Sequence, residues 1–440
     1  MRRLIVMSLI GLLLTLSTTA FGQDEGFPTV VDAYGEEIVI EDASRLVTMG
    51  GSVTEIVFAL GAGDRVVARD SSSLYPLVVE ELDEVGYVRQ LSAEPILAME
   101  PTLIITIEDA GPPEAIEQLE AAGVTMLVVP TAESVEGVVE KVNTIAMALE
   151  LEDEGVTLVE TIEANYASAL ALQEDIESTP RVMFLYARGA GAVSVSGTDT
   201  SANTMIELVG AENAVTEFDG YQPITAESVV TAAPDVILLM TRGLASLGGV
   251  DGLLEQPGIA QTPAGENRRV VVMDDLYLLG FSTRTGSAVL DLTYLVHDEV
   301  EPPLLSVLRA DGRFNTLLDA MESAGQTRLL TGDTPYTLFA PTDEAFASLP
   351  PGTLDGLMSS PISLQAVLSY HVVDGAVMAE DVIELDGETV QTLYSEGLLS
   401  VGAGDDGVVL NETTNVIETD RLAANGVVHV VDSVLLPERP

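Results

Sequence analysis

Cysteine and tryptophan are absent from the 440 residues, and Lys141 is the sole lysine. Without cysteine the fold has no disulfide framework and relies on packing, which suits an exported protein of this length. A bacterial lipoprotein needs a cysteine to acylate, so that kind of anchor is not expected. With 70 acidic against 18 basic side chains the formal charge is -52, spread along the chain rather than gathered in one tail. Such a surface repels nucleic acid and anionic lipid, and its simplest role is solubility or tolerance of salt. Long apolar runs are scarce too. Leu4 to Leu16 is apolar behind Arg2 and Arg3, and ends at the small residues Ser17 to Ala20 and Gly22. It falls short of the roughly 20 residues a bilayer span needs. Residues 1–22 therefore read as a signal peptide, and the mature chain as soluble, periplasmic or secreted to the cell surface. HExxH, P-loop and nucleophile-elbow patterns are missing, and Gly189-Ala190-Gly191 lacks the rest of a dinucleotide fingerprint. No enzyme is expected.

What is present is ample core material, 47% hydrophobic residues, over a length that favours two or three domains. Residues 45–150 and 181–297 each alternate apolar runs of buried-strand type, such as Leu103 to Ile107 and Val236 to Met240, with helical stretches. One repeat is sharper than composition. Ala93-Glu94-Pro95-Ile96-Leu97 precedes Pro101-Thr102-Leu103, and Ala226-Glu227-Ser228-Val229-Val230 precedes Pro234-Asp235-Val236. In both, Ala-Glu opens a short helix that a proline closes before a buried strand, so two similar lobes are implied. Between them, in residues 151–180, Val156 to Glu177 holds neither glycine nor proline and carries apolar residues at spacings of three and four. The fold class is α/β: two Rossmann-like lobes joined by one long backbone helix, with a cleft between them. Glu301-Pro302-Pro303 then breaks the chain, and residues 298–303 read as a linker.

The stretches Thr54-Glu55-Ile56-Val57-Phe58-Ala59-Leu60-Gly61 and Ala232-Ala233-Pro234-Asp235-Val236-Ile237-Leu238 resemble the helical-backbone (class III) periplasmic binding proteins of ABC importers. These carry haem, cobalamin and ferric siderophores. Gly86-Tyr87-Val88-Arg89-Gln90-Leu91-Ser92-Ala93-Glu94, Ala110-Gly111-Pro112-Pro113-Glu114, Gly248-Gly249-Val250-Asp251-Gly252 and Asp275-Leu276-Tyr277-Leu278-Leu279-Gly280-Phe281 narrow the resemblance to haem carriers. It implies that haem is the transported ligand and that Tyr87 is the axial ligand of its iron, assisted by Arg89. The residue chemistry agrees. A tyrosine phenolate is a known iron ligand. A free phenol has a pKa near 10, so ligation at neutral pH calls for a nearby cation; in an extended segment Arg89 shares a face with Tyr87. The first histidine is His297, the last residue of the second lobe, so no histidine ligand is expected from either lobe and a single haem is favoured. Arg69, Tyr75, Tyr221 and Tyr277 lie in segments matching the family's cleft loops. Glu94 and Glu227 match the glutamates that dock on the ABC transporter permease, while an acidic residue in a helix's first turn also offsets the helix dipole. A siderophore or cobalamin carrier, or a surface adhesion protein with haem-scavenging lobes, are the alternatives.

Residues 304–437 resemble a small α+β fasciclin-like domain, on Tyr336-Thr337-Leu338-Phe339-Ala340-Pro341-Thr342-Asp343-Glu344-Ala345-Phe346, Leu368-Ser369-Tyr370-His371-Val372-Val373 and Asn425-Gly426-Val427-Val428-His429-Val430-Val431-Asp432. The resemblance implies an adhesion or interaction module with a cell-surface or extracellular partner. Thr342 or Asp343 is expected to cap the helix through Phe346. His371 and His429, flanked by apolar residues, are expected to be hydrogen-bonded core residues. Each half is expected to have its own core, and residues 23–300 to bind haem without the rest.

Overall fold

The computed structural model describes residues 27–187, 193–404 and 407–437. The expected signal peptide and the Gly189-Ala190-Gly191 run lie outside the described residues. The N lobe is a five-stranded parallel sheet in the order Asp83–Glu84, Val66–Arg69, Leu46–Met49, Leu103–Ile107, Thr125–Val129. Its middle strands are apolar along their length because helices cover both faces. Gly51–Ala59 and Val135–Leu149 belong to the core of one face, and Ala93–Ala98 and Pro113–Ala121 to that of the other. A hairpin that the sequence reading did not anticipate, Thr29–Val31 with Glu37–Val39, is turned by the Asp32 carboxylate accepting from the Tyr34 and Glu36 amides.

The C lobe is mixed. Arg181–Ala187, Val236–Met240 and Val270–Met273 run parallel, and Val193–Ser196 and Tyr221–Pro223 extend the sheet antiparallel. Joining the lobes is the helix Glu152–Gln173 of 22 residues, about 33 Å long. Three acidic residues fill its first turn, where the helix dipole favours them. It crosses Thr285–Val296 closely because Gly286 has no side chain; a Cβ there would stand 2.2 Å from the Ile162 carbonyl oxygen. The repeated Ala-Glu segments form the helices Ala93–Ala98 and Ala226–Ala232, each with its glutamate in the first turn.

The third unit is a seven-stranded sheet in which Tyr336–Pro341 and Gly426–Val431, the second and third strands from one edge, pair in parallel. Gly426 sits at φ 146°, and a Cβ there would meet the Tyr336 carbonyl oxygen at 1.9 Å, so the Asn-Gly step of the motif is sterically required. Thr342, not Asp343, caps the next helix: its hydroxyl accepts from the Ala345 amide at 3.2 Å, while Asp343 accepts from the Thr316 amide. His371 and His429 are buried and bonded to the carbonyls of Val367 and Val377.

The two halves keep largely separate cores, yet the proline break is more than a tether. The helix Leu304–Asp311 follows it directly and lies against the C lobe, its Ala310 joining the lobes' core. The Ala310 carbonyl accepts from the Asp274 amide at 2.8 Å and the Asp311 carbonyl from the Thr241 hydroxyl at 3.3 Å. Arg309 pairs with the fully buried Asp291 at 2.8 Å.

Candidate functional site at the strand ends of the N lobe

Parallel strands leave their loops at the carboxyl ends, where α/β sheets hold ligands. In the N lobe two such loops are laced together. The Leu91 amide donates to the Gly111 carbonyl at 2.7 Å, and the Gly111 amide to the Val88 carbonyl at 2.9 Å. The motifs around Tyr87 and Gly111, distant in sequence, are thus one structural unit. The fully buried Asp70 holds it from below. Its carboxylate accepts from the amides of Gly50, Ser72 and Val88 and from the hydroxyls of Ser72 and Ser73, at 2.6 to 3.3 Å.

On this platform Tyr87 is half-buried against the lobe's core. Arg89 Nη1 donates to Tyr87 Oη at 3.1 Å, and Arg89 Nη2 to Asp109 Oδ2 at 2.8 Å. A tyrosine, a guanidinium and a carboxylate therefore stand in line at the rim, the last two about half exposed. Sequence reasoning found the first two; Asp109 was missed, although it directly precedes the Ala110-Gly111-Pro112 motif.

Other expected site residues sit elsewhere. Arg69 is buried beneath the platform, its guanidinium donating to the carbonyls of Val79 and Asp70 and paired with Glu84 at 3.5 Å. It braces a loop from inside the lobe. Tyr277 is 3% exposed, its hydroxyl donates to Asp291 at 2.6 Å, and burial followed by that carboxylate's charge pushes its phenol well above the usual value. It belongs to the junction with the third unit. Tyr75 lies under the Arg284 guanidinium, 3.6 Å from its ring centre, and burial pushes its phenol up to about 12. Tyr221, 44% exposed, is at the C lobe's sheet edge, 5.6 Å from Tyr186. Burial raises its phenol, the Ser196 and Thr200 hydroxyls pull it back, and the charge of Glu133 reaches it from the N lobe. Glu94 and Glu227 are exposed on their helices' first turns.

The contact between the lobes includes a polar set that was not read from the sequence. Glu55, fully buried in the N lobe, accepts from the hydroxyls of Ser282 and Thr283 and twice from Arg284 of the C lobe, at 2.6 to 3.1 Å. Burial alone would raise its carboxyl; the Arg284 charge and these donors outweigh that and lower it. Nearby, Lys141 is 2% exposed, 3.2 Å from the Ser52 hydroxyl and 3.4 Å from the Phe281 carbonyl, and burial pushes its amine down to about 8.

Two α/β lobes on one long helix, with ligand-type residues on the strand-end loops, define a binding protein rather than an enzyme. The periplasmic binding protein profile matches residues 46–277, more than half the chain, and the chain belongs to that family. Residues 312–437 match the fasciclin domain. Among solved structures, the chain is 43% identical to the periplasmic heme-binding protein RhuT from Roseiflexus sp. RS-1, over 58% of this chain and 99% of that one, with a TM-score of 0.57. It is 29% identical over 222 residues, 49% of this chain and 69% of the relative, to the uncharacterized ABC transporter substrate-binding lipoprotein YvrC of Bacillus subtilis. The fasciclin part is 37% identical over 135 residues to the uncharacterized protein sll1735 of Synechocystis sp., covering 31% of this chain and 98% of that protein.

Proposed function

We propose that the two lobes bind one ferric haem, that Tyr87 supplies the axial oxygen to its iron, and that the loaded protein delivers haem to an ABC importer. The observation that carries this reading is the 3.1 Å hydrogen bond from Arg89 to Tyr87 Oη. A guanidinium donating to a phenol oxygen favours the charged phenolate, the form that binds ferric iron. Asp109, bonded to the same guanidinium, aims it. Similarity to heme-binding proteins over both lobes supports the choice of ligand. Tyr221, exposed on the opposite lobe, offers an aromatic face on which the macrocycle would stack. Glu94 and Glu227, at equivalent exposed positions of the two lobes, suit a dimeric permease with matching basic pockets. The fasciclin domain serves a cell-surface or extracellular partner.

The test is titration of the purified full chain with hemin, read by its Soret and tyrosinate charge-transfer bands. Saturation with one hemin and a tyrosinate band lost in Tyr87→Phe is expected. No Soret change with hemin, but binding of a ferric siderophore or cobalamin, would reassign the ligand within the same family.

A further inference from the structure

A cavity of about 690 Å³ lies where three parts of the chain meet. From the N lobe it is lined by the loop after Val66–Arg69, including Tyr75 and Val78; from the C lobe by Arg242 and Leu276, just beyond the ends of two parallel strands; and from the fasciclin domain by Arg313 and Phe346. All the lobe residues leave the carboxyl ends of their sheets, the same face that carries Tyr87 and Asp109. The cavity thus opens on the strand-end side of both lobes, and the fasciclin domain is its outer wall.

The three walls are not held equally. Between C lobe and fasciclin domain run two bonds to the backbone of residues 310 and 311 and the Asp291–Arg309 pair, and Asp291 also receives the Tyr277 hydroxyl. These bonds fix the C lobe's strand ends to the helix Leu304–Asp311. Across the cavity the N-lobe loop faces the fasciclin domain, with Tyr75 near enough to Asp319 and Glu322 for their charges to reach its phenol. The N lobe is tied instead to the C lobe, through Glu55 and Arg284.

We infer that the fasciclin domain rides on the C lobe as one body and forms a third wall of the substrate cleft, so that ligand exchange requires the gap between it and the N-lobe loop to change. This rests on the proposal that the lobes bind haem. The mechanism is a rigid-body one: the N lobe moves against a composite partner whose far edge is the fasciclin domain.

The absence of native cysteine makes a direct test clean. Val78→Cys and Ala347→Cys, from opposite walls of this cavity, are combined in the full chain and bridged with a flexible bismaleimide. Each single variant treated alike is the control, and Glu81→Cys with Leu354→Cys is a second pair. Hemin release to apomyoglobin is followed by the Soret band. Bridging is expected to slow release tenfold or more in both pairs, with the single variants at the wild-type rate. Unchanged release from a bridged, hemin-loaded protein would overturn the inference, as would failure of both pairs to bridge. Failure of the wild type to bind hemin at all would instead overturn the functional reading beneath it.

Discussion

Tyr87 lies in the loop after Asp83–Glu84 and Tyr277 in the short helix Asp275–Leu279 that follows Val270–Met273, and their surroundings differ in both charge and burial. At the N-lobe rim a half-buried phenol meets a guanidinium that is itself half exposed. At the C-lobe and fasciclin junction a buried phenol donates to a buried carboxylate, which Arg309 neutralises. The first arrangement sets the phenol oxygen beside a cation at the lobe's rim; the second opposes phenolate and consumes the hydroxyl. Identity of side chain decides little here. The sign of the neighbouring charge and the depth of burial decide whether a tyrosine binds or braces.

If that contrast is correct, changes at the junction should cost stability and spare hemin spectra, and changes at the rim should do the reverse. The largest effect is expected from Arg309→Met. It leaves the Asp291 carboxylate buried without its cation, a loss of about 3–5 kcal/mol, read by urea unfolding. A chain ending at residue 300 loses the same arginine and should be destabilised comparably, so the lobes are not expected to stand alone at full stability. Wild-type stability in both would mean that the junction is a passive contact.

Next comes the fasciclin core's response to acid. Burial pushes the His371 imidazole down to about 4, against about 6.5 in an unfolded chain. Between those values only the unfolded state takes up the proton. The stability is therefore fully present above pH 6.5 and is lost as pH falls toward 4, by about 3 kcal/mol. Unfolding of His371→Gln should be flatter across that window; an equal slope would place the acid sensitivity elsewhere.

At the rim, Tyr87→Phe should weaken hemin binding at least tenfold, about 1.4 kcal/mol, while unfolding stays near wild type. Tyr277→Phe should leave the hemin spectrum intact and lower stability by about 1 kcal/mol, the worth of one hydrogen bond. Equal loss of the tyrosinate band in both variants would erase the distinction between the two tyrosines. The smallest change is expected from Glu94→Ala with Glu227→Ala. Both residues are exposed, so stability should hold to within about 0.5 kcal/mol and hemin titration should not move, whereas haem uptake into vesicles carrying the permease should fall. Weakened hemin binding would place the glutamates in the cleft instead.

Much of the fold was legible because its signals are local. Apolar runs such as Val236 to Met240, glycine-free helical stretches and the proline-closed repeat follow from backbone propensity and periodicity. The fasciclin motifs held for a similar reason: Gly426 must be glycine wherever that strand pairing occurs. Tyr87 and Arg89 do meet, but through a turn closed by the Gln90 amide on the Tyr87 carbonyl and not in the extended segment expected. Motif position does not say whether a side chain turns outward or into the lobe, and Arg69, at a strand end, and Tyr277, in a short helix, both turn inward. Arg69 turns inward to satisfy the Val79 carbonyl, and Tyr277 turns inward to reach Asp291.

The sequence by itself therefore determined the two α/β lobes, the connecting helix, the fasciclin unit and a tyrosine with a cation beside it. These depend on interactions within a few residues or on repeated patterns of burial. Only the tertiary structure decided that Asp109 completes the Tyr87 and Arg89 line, that Glu55 binds Arg284 between the lobes, and that Arg309 fastens the fasciclin domain to the C lobe. Those pairs are separated by 20, 229 and 18 residues. A charge chooses its partner by distance in space and by what burial would cost it unpaired, and neither quantity is written in local spacing.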